Sequence, residues 1–230
     1  MLAEYRRGGG RPPRDDESLE VETDGSYVLR RTVGGERVGH FAGEIPKRGL
    51  TALKRLVEAA EDLDDRPTGL PPHVTESVST ARADITMGVH AKASSPAAKL
   101  VKRLRQLVDD LTDEAVAAVE LRVAADGSGI TLASVGTEPV EVDFSAASLS
   151  FTLFGAREEL LTEGDIAGPE GAGTKTRLEP GWTARSPIDL DDAFNPRRTL
   201  DVKVDFDLYD ASGAMRRARL RAIAGKGWSA

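Results

Sequence analysis

Hydrophobic and polar positions change period along the chain. Val21, Tyr27, Leu29 and Val33 alternate with polar neighbours, and Gly34-Gly35 supplies a turn, so Leu19–Val33 and Arg37–Ile45 are predicted as two strands of a hairpin. A period near 3.6 follows: Leu50, Leu53, Val57 and Ala60 fall on one face of a helix opening at Pro46 and running to about Leu63. Val74–His90 returns to an extended pattern. It is long for one strand, and a bend or hairpin is expected near Arg82–Asp84. Ser95-Pro96 opens a second helix, with Ser95 as cap and Pro96 at the first helical position. Its apolar stripe is Ala97, Leu100, Val101, Leu104, Leu107, Val108 and Leu111.

After Asp113 the helical period disappears. Val119–Val123, Ile130–Val135, Val140–Phe144 and Leu149–Phe154 are short apolar runs separated by Asp126-Gly127, Gly136 and Pro139. Arg177-Leu178, Thr183–Leu190, Leu200–Tyr209 and Met215–Ile223 complete the series, and regular turn signals of this kind predict an antiparallel sandwich. The last two runs specify a register. A three-residue loop, Ala211-Ser212-Gly213, pairs Asp207 with Arg217 and Asp205 with Arg219 on one face, and Phe206 with Ala218 and Val204 with Leu220 on the other.

The expected fold class is therefore α+β: an N-terminal strand–helix domain with two helices at 19–113, then an antiparallel immunoglobulin-like sandwich at 114–230. Residues 1–18, with four arginines, three glycines and two prolines, read as a disordered basic arm.

Composition narrows the chemistry. The chain of 230 residues has no cysteine, which excludes disulfides, thiolate metal sites and thiol nucleophiles. No signal peptide and no apolar run long enough for a membrane helix is present, so the expectation is a soluble, cytoplasmic protein with no membrane partner. The net charge of −7 is uneven: residues 213–230 hold five basic residues and no acidic one, while 114–212 carry most of the acidic excess. A nucleic-acid partner is not expected, because such proteins present a strongly basic face and the basic C-terminal run is matched by Asp205 and Asp207.

Catalytic patterns are missing. His40, His73 and His90 show no metal-ligand spacing. Residues 168–176, GPEGAGTKT, come near a phosphate-binding loop, but Thr174 separates Lys175 from the last glycine and no helix follows. Asp189, Asp191 and Asp192 form a candidate calcium-binding cluster, to be weighed against a solvated acidic surface, and no cofactor is expected. Trp182, after Pro180-Gly181, is a candidate partner-binding residue or a core anchor.

Two stretches resemble known families. Leu19–Leu63, a strand pair with Gly-Gly at its turn followed by LTALKRLVEAAEDL, is similar to emfourin-type inhibitors of M4 metallopeptidases. Val119–Leu190, with ITLASVGTEPVEVDFS and TRLEPGWTARSPIDL, resembles immunoglobulin-like bacterial domains of the class that includes BsuPI-type proteinase inhibitors. Both resemblances imply a non-enzymatic module that binds another protein, with a peptidase as one such partner. A hydrolase or ligand-binding enzyme with dispersed residues, and a calcium- or small-ligand-binding sandwich, are the competing classes.

Overall fold

The computed structural model describes residues 1–9, 15–61, 74–88, 95–168, 175–190, 198–209 and 213–225. The chain divides into two compact units, Met1–Arg31 with His40–Ala115, and Thr32–Gly39 with Val116–Ala230. The fold is α+β: both helices belong to the first unit, and the second is built from antiparallel sheets.

In the first unit the strands are β1 (Ala3–Gly9), β2 (Asp15–Val21), β3 (Ser26–Arg31), β4 (Arg37–Glu44, of which His40–Glu44 fall in this unit), β5 (Val74–Thr80) and β6 (Asp84–Gly88), and the helices are α1 (Lys47–Glu61) and α2 (Pro96–Asp110). The strand order is β4-β3-β2-β1-β5-β6. Strand register places side chains in rows across this sheet. Leu29, Leu19, Tyr5, Val78 and Ile85 stand opposite one another in sequence, and all are buried. Their face meets an apolar layer of Leu50, Leu53 and Val57 from α1 and Leu100, Leu104 and Leu107 from α2, as expected when one stripe of a helix is apolar. Ser95 caps α2, its hydroxyl accepting from the Ala98 amide at 3.1 Å.

Two expectations need correction here. The segment expected to be a disordered basic arm contains β1, a central strand with Ala3 and Tyr5 fully buried. Its arginines and glycines mask a period-2 alternation, and its neighbours β2 and β5 supply both edges of backbone hydrogen bonding. Leu19–Val33 is likewise two strands rather than one. Asp24 turns the chain, accepting from the Ser26 amide and hydroxyl at 2.9 and 2.8 Å, and Gly25 adopts φ 101°. The Val74–His90 run does split into a hairpin, β5 and β6, at the predicted place.

The second unit contains β7 (Ala115–Val123), β8 (Gly129–Gly136), β9 (Val140–Phe154), β10 (Leu160–Asp165), β11 (Thr176–Leu178), β12 (Thr183–Pro187), β13 (Thr199–Tyr209) and β14 (Met215–Ala224). One layer has the order β12-β8-β7 and the other β10-β9-β13-β14, with β11 also on β9. Their facing side chains form one core: Val119, Leu121 and Leu132 from the first layer, and Val142, Phe151, Leu153, Val204, Phe206 and Leu220 from the second. The two runs predicted at Val140–Phe144 and Leu149–Phe154 are a single strand, β9, opposite which the register of β13 shifts between Asp205 and Asp207. The β13–β14 register is as predicted: Asp207 opposite Arg217, Asp205 opposite Arg219, Phe206 opposite Ala218 and Val204 opposite Leu220.

Candidate functional site

The densest group of buried charge lies in the first unit. Arg31, Glu17, Arg7 and Glu76 stand opposite one another on β3, β2, β1 and β5, so sign alternates along a row perpendicular to the strands. Arg31 meets Glu17 at 3.2 Å and Arg7 meets Glu17 at 3.5 Å. Helix α2 closes the row: Arg105 grips Glu76 through two hydrogen bonds of 2.9 and 2.5 Å, and Asp109, one turn on, accepts from Arg31 at 3.0 Å. The Tyr5 hydroxyl also donates to Glu76, at 2.7 Å. Burial, and then the adjoining Glu76 carboxylate, raise the Tyr5 hydroxyl well above the ordinary tyrosine range. Arg105 is likewise held in its charged form by its bonds to Glu76. Three cations and three carboxylates balance, and each contact already has an opposite charge, so this cluster does the work of positioning α2 on the sheet.

The sequence-derived candidates fall in different places. Trp182 is half-buried beside the second unit's core, with its ring stacked on Phe144 at 6.4 Å. Its carbonyl accepts from Ser134 at 2.9 Å and its amide donates to Glu179 at 3.0 Å, so the residue is tied into the sandwich through its backbone as well. Asp189 is exposed, and Asp191 and Asp192 lie outside the described residues. Among the described residues no three metal-ligating side chains gather at one point. His73, His90 and most of the 168–176 loop also lie outside them. Lys175, the lysine of that loop, sits 3.3 Å from Glu141 and 4.6 Å from the centre of the Tyr209 ring. The acids of β13 are held by β14: Arg219 and Arg221 each bind two oxygens, of Asp205 at 2.6 and 2.8 Å and of Asp201 at 2.9 and 3.0 Å, and Arg217 reaches Asp207 at 3.3 Å.

A different feature stands out at the sheet edges of the second unit. The outer edge of β14 is covered by residues 32–35: the Arg219 amide donates to Thr32 at 2.8 Å, Gly34 donates to Arg219 at 3.0 Å, and Arg221 donates to Gly35 at 2.8 Å. Strand β12 ends its sheet with exposed Thr183 and Arg185 and with Pro187, which interrupts pairing. Strand β10 is unlike both. Among the described residues it pairs with β9 on one side only, and it exposes Leu160 (57%) and Leu161 (43%).

The local sequence explains this geometry. Phe154 and Leu160 close the β9–β10 hairpin as an opposed pair. Between them Gly155 donates to Glu159 at 2.8 Å, and Glu158 takes the left-handed region at φ 62°. Leu160 is opposite Phe154 and Thr162 is opposite Leu153, so Leu161 is an extra residue in a bulge and both leucines are left outside the core. Gly164 allows the Phe151 ring to lie on the strand, since a Cβ there would meet the ring at 2.9 Å. Ile166, buried, then fastens the end of the strand by donating to Leu149 at 2.8 Å.

Sequence reading passed over β10. Leu160-Leu161 sits among acidic residues with no period-2 alternation, because the bulge breaks it; the adjacent leucine pair after a Gly-containing turn was the available signal. No protein-family model matches the chain, and no curated protein matches it in sequence. No helix among the described residues is long and apolar enough to cross a membrane.

Proposed function

We propose that this protein is a non-enzymatic interaction module that binds an extended segment of another protein by strand addition at the β10 edge. The observation that carries the reading is the pair of exposed leucines on a strand that, among the described residues, is paired on one side only. An open edge offers backbone donors and acceptors to an incoming strand, and exposed side chains beside it supply the apolar contact. Covering what remains exposed of each leucine contributes about 1 kcal/mol at the usual area coefficient. The peptidase-inhibitor-like form of this reading rests on the two family resemblances, and its partner would be a peptidase.

The test uses the full chain with a photo-crosslinking side chain at Thr162, beside the leucines, and the same chain carrying Leu160→Ser/Leu161→Ser. Adducts that map to one extended segment of a partner, and that the serine variant loses, are the expected result. Adducts unaffected by the serine substitutions refute the β10 edge as the site. Titration of an M4 metallopeptidase with the chain tests the inhibitor form directly, and undiminished peptide hydrolysis at excess chain rejects it.

A further inference from the structure

The β10 edge is acidic as well as apolar, and the two properties are separated along the strand. Leu160 and Leu161 stand at its start, and Glu163 and Asp165 follow at alternate positions, opposite Thr152 and Ser150. Residues two apart on a strand share a face, so the two carboxylates project together. Both are exposed, and neither forms an ion pair among the described residues. The acids of β13 differ, since Asp201, Asp205 and Asp207 each hold an arginine of β14. Like charges directly opposite across a strand pair destabilise it and opposite charges stabilise it.

A strand added antiparallel to β10 passes Asp165 first, Glu163 next and the leucines last. We propose that the segment bound at this edge carries two basic residues separated by one position, followed by apolar residues. This rests on strand addition at β10 as the binding mode and names the chemistry of the partner. A second copy of β10 is a poor occupant. Full antiparallel overlap of two β10 strands sets Asp165 against Leu160, and a shift of one residue sets Glu163 against itself.

Fluorescence anisotropy with three labelled hexapeptides separates the possibilities: Lys-Thr-Lys-Thr-Val-Val, Gln-Thr-Gln-Thr-Val-Val and Glu-Thr-Glu-Thr-Val-Val. Two opposed charge pairs are expected to favour the lysine peptide over the glutamine peptide by roughly 2- to 30-fold. The glutamate peptide is expected to bind most weakly. The preference should shrink at about 0.5 M salt, where exposed charges are screened, and should vanish in Glu163→Gln/Asp165→Asn. Binding itself should be lost in Leu160→Ser/Leu161→Ser. Equal affinity for all three peptides, abolished by the serine variant, overturns the basic preference and leaves strand addition standing. A lysine preference that persists in Glu163→Gln/Asp165→Asn assigns it to the chain's general acidity and overturns the proposal. Binding of all three peptides that survives the serine variant, or no binding at all, overturns both. A concentration-dependent dimer that the serine variant abolishes makes a second copy the occupant and also overturns it.

Discussion

Removing Arg105 should destabilise the first unit more than removing the whole Tyr5–Glu76–Arg105 cluster. Glu76 is 7% exposed, and it accepts from the Tyr5 hydroxyl and from two nitrogens of Arg105. Arg105→Met leaves a buried carboxylate without its bidentate partner. Breaking a fully buried pair in this way costs about 3–5 kcal/mol. The Arg105 side chain is 51% exposed, so water and salt reach its end of the pair, and the expected cost falls to about 2 kcal/mol. The triple variant Tyr5→Phe/Glu76→Met/Arg105→Met removes one positive and one negative charge together and leaves no orphaned hydroxyl. Apolar replacements of a buried ion pair with similar volume are often neutral. Its expected cost is about 0–1 kcal/mol.

Urea unfolding followed by circular dichroism at 222 nm is the suitable assay, because both helices belong to the first unit. Trp182 belongs to the second, so in a background carrying Trp228→Phe its fluorescence follows that unit separately. An unchanged slope with urea is needed for the free energies to be compared. A triple variant at least as unstable as Arg105→Met would refute the reasoning, since it would mean that the pair contributes net stability rather than offsetting its own desolvation.

Three further outcomes follow from the same structure. Leu53→Ala, at a fully buried position of α1, should cost about 2–5 kcal/mol in the dichroism transition. Gly39→Ala should destabilise the second unit by more than about 2 kcal/mol in the fluorescence transition: Gly39 has φ 140°, and a Cβ would press on the Ala117 carbonyl oxygen and lie 2.6 Å from the Ala118 Cα. Burial, then Glu114 and Asp113, push the Tyr27 hydroxyl up to about 12, above its value in the unfolded chain. Its contribution is therefore complete below about pH 10 and is lost as pH rises from 10 toward 12. Tyr27→Phe should flatten the loss of stability over that window, and an identical alkaline slope in both chains would reject the assignment.

Elements whose identity depends on local period were legible in the sequence. Helix α2 follows from Ser95-Pro96 and one unbroken apolar stripe, and the β13–β14 hairpin follows from alternation plus matched charges. Strand β1 was not, because its pattern is apolar only at Ala3 and Tyr5 and its third inward side chain is Arg7. A half-buried arginine is tolerated there because Glu17 lies opposite on β2, and that pairing exists only once the sheet has formed. Strand β10 was missed for a related reason. Its bulge at Leu161 breaks the alternation, and what defines the strand is its register on β9 rather than any pattern of its own. Trp182 was an ambiguous candidate, and the stacking on Phe144 that holds it depends on contacts distant in sequence.

The distribution of paired and unpaired charge gives the edge assignment its weight. In both units, buried acids on interior strands have a counter-charge on the strand beside them: Glu17 has Arg31 and Arg7, Glu120 has Arg37 (with Arg122 of its own strand as well), and Asp201 has Arg221. The basic run of the last strand is absorbed in this way: Arg217, Arg219 and Arg221, three of its four arginines, each hold an acid of β13. The same rule applied to β10 leaves a remainder. Glu163 and Asp165 lie on one face of a strand that, among the described residues, has a neighbour on one side alone, whereas interior strands have their counter-charges supplied by a neighbour. Acidic side chains on an edge also discourage indiscriminate pairing, because they repel any strand that is itself acidic. A basic strand escapes that repulsion. The device that protects the edge from aggregation thus also selects what can add to it, and the two exposed leucines supply the contact that charge alone does not.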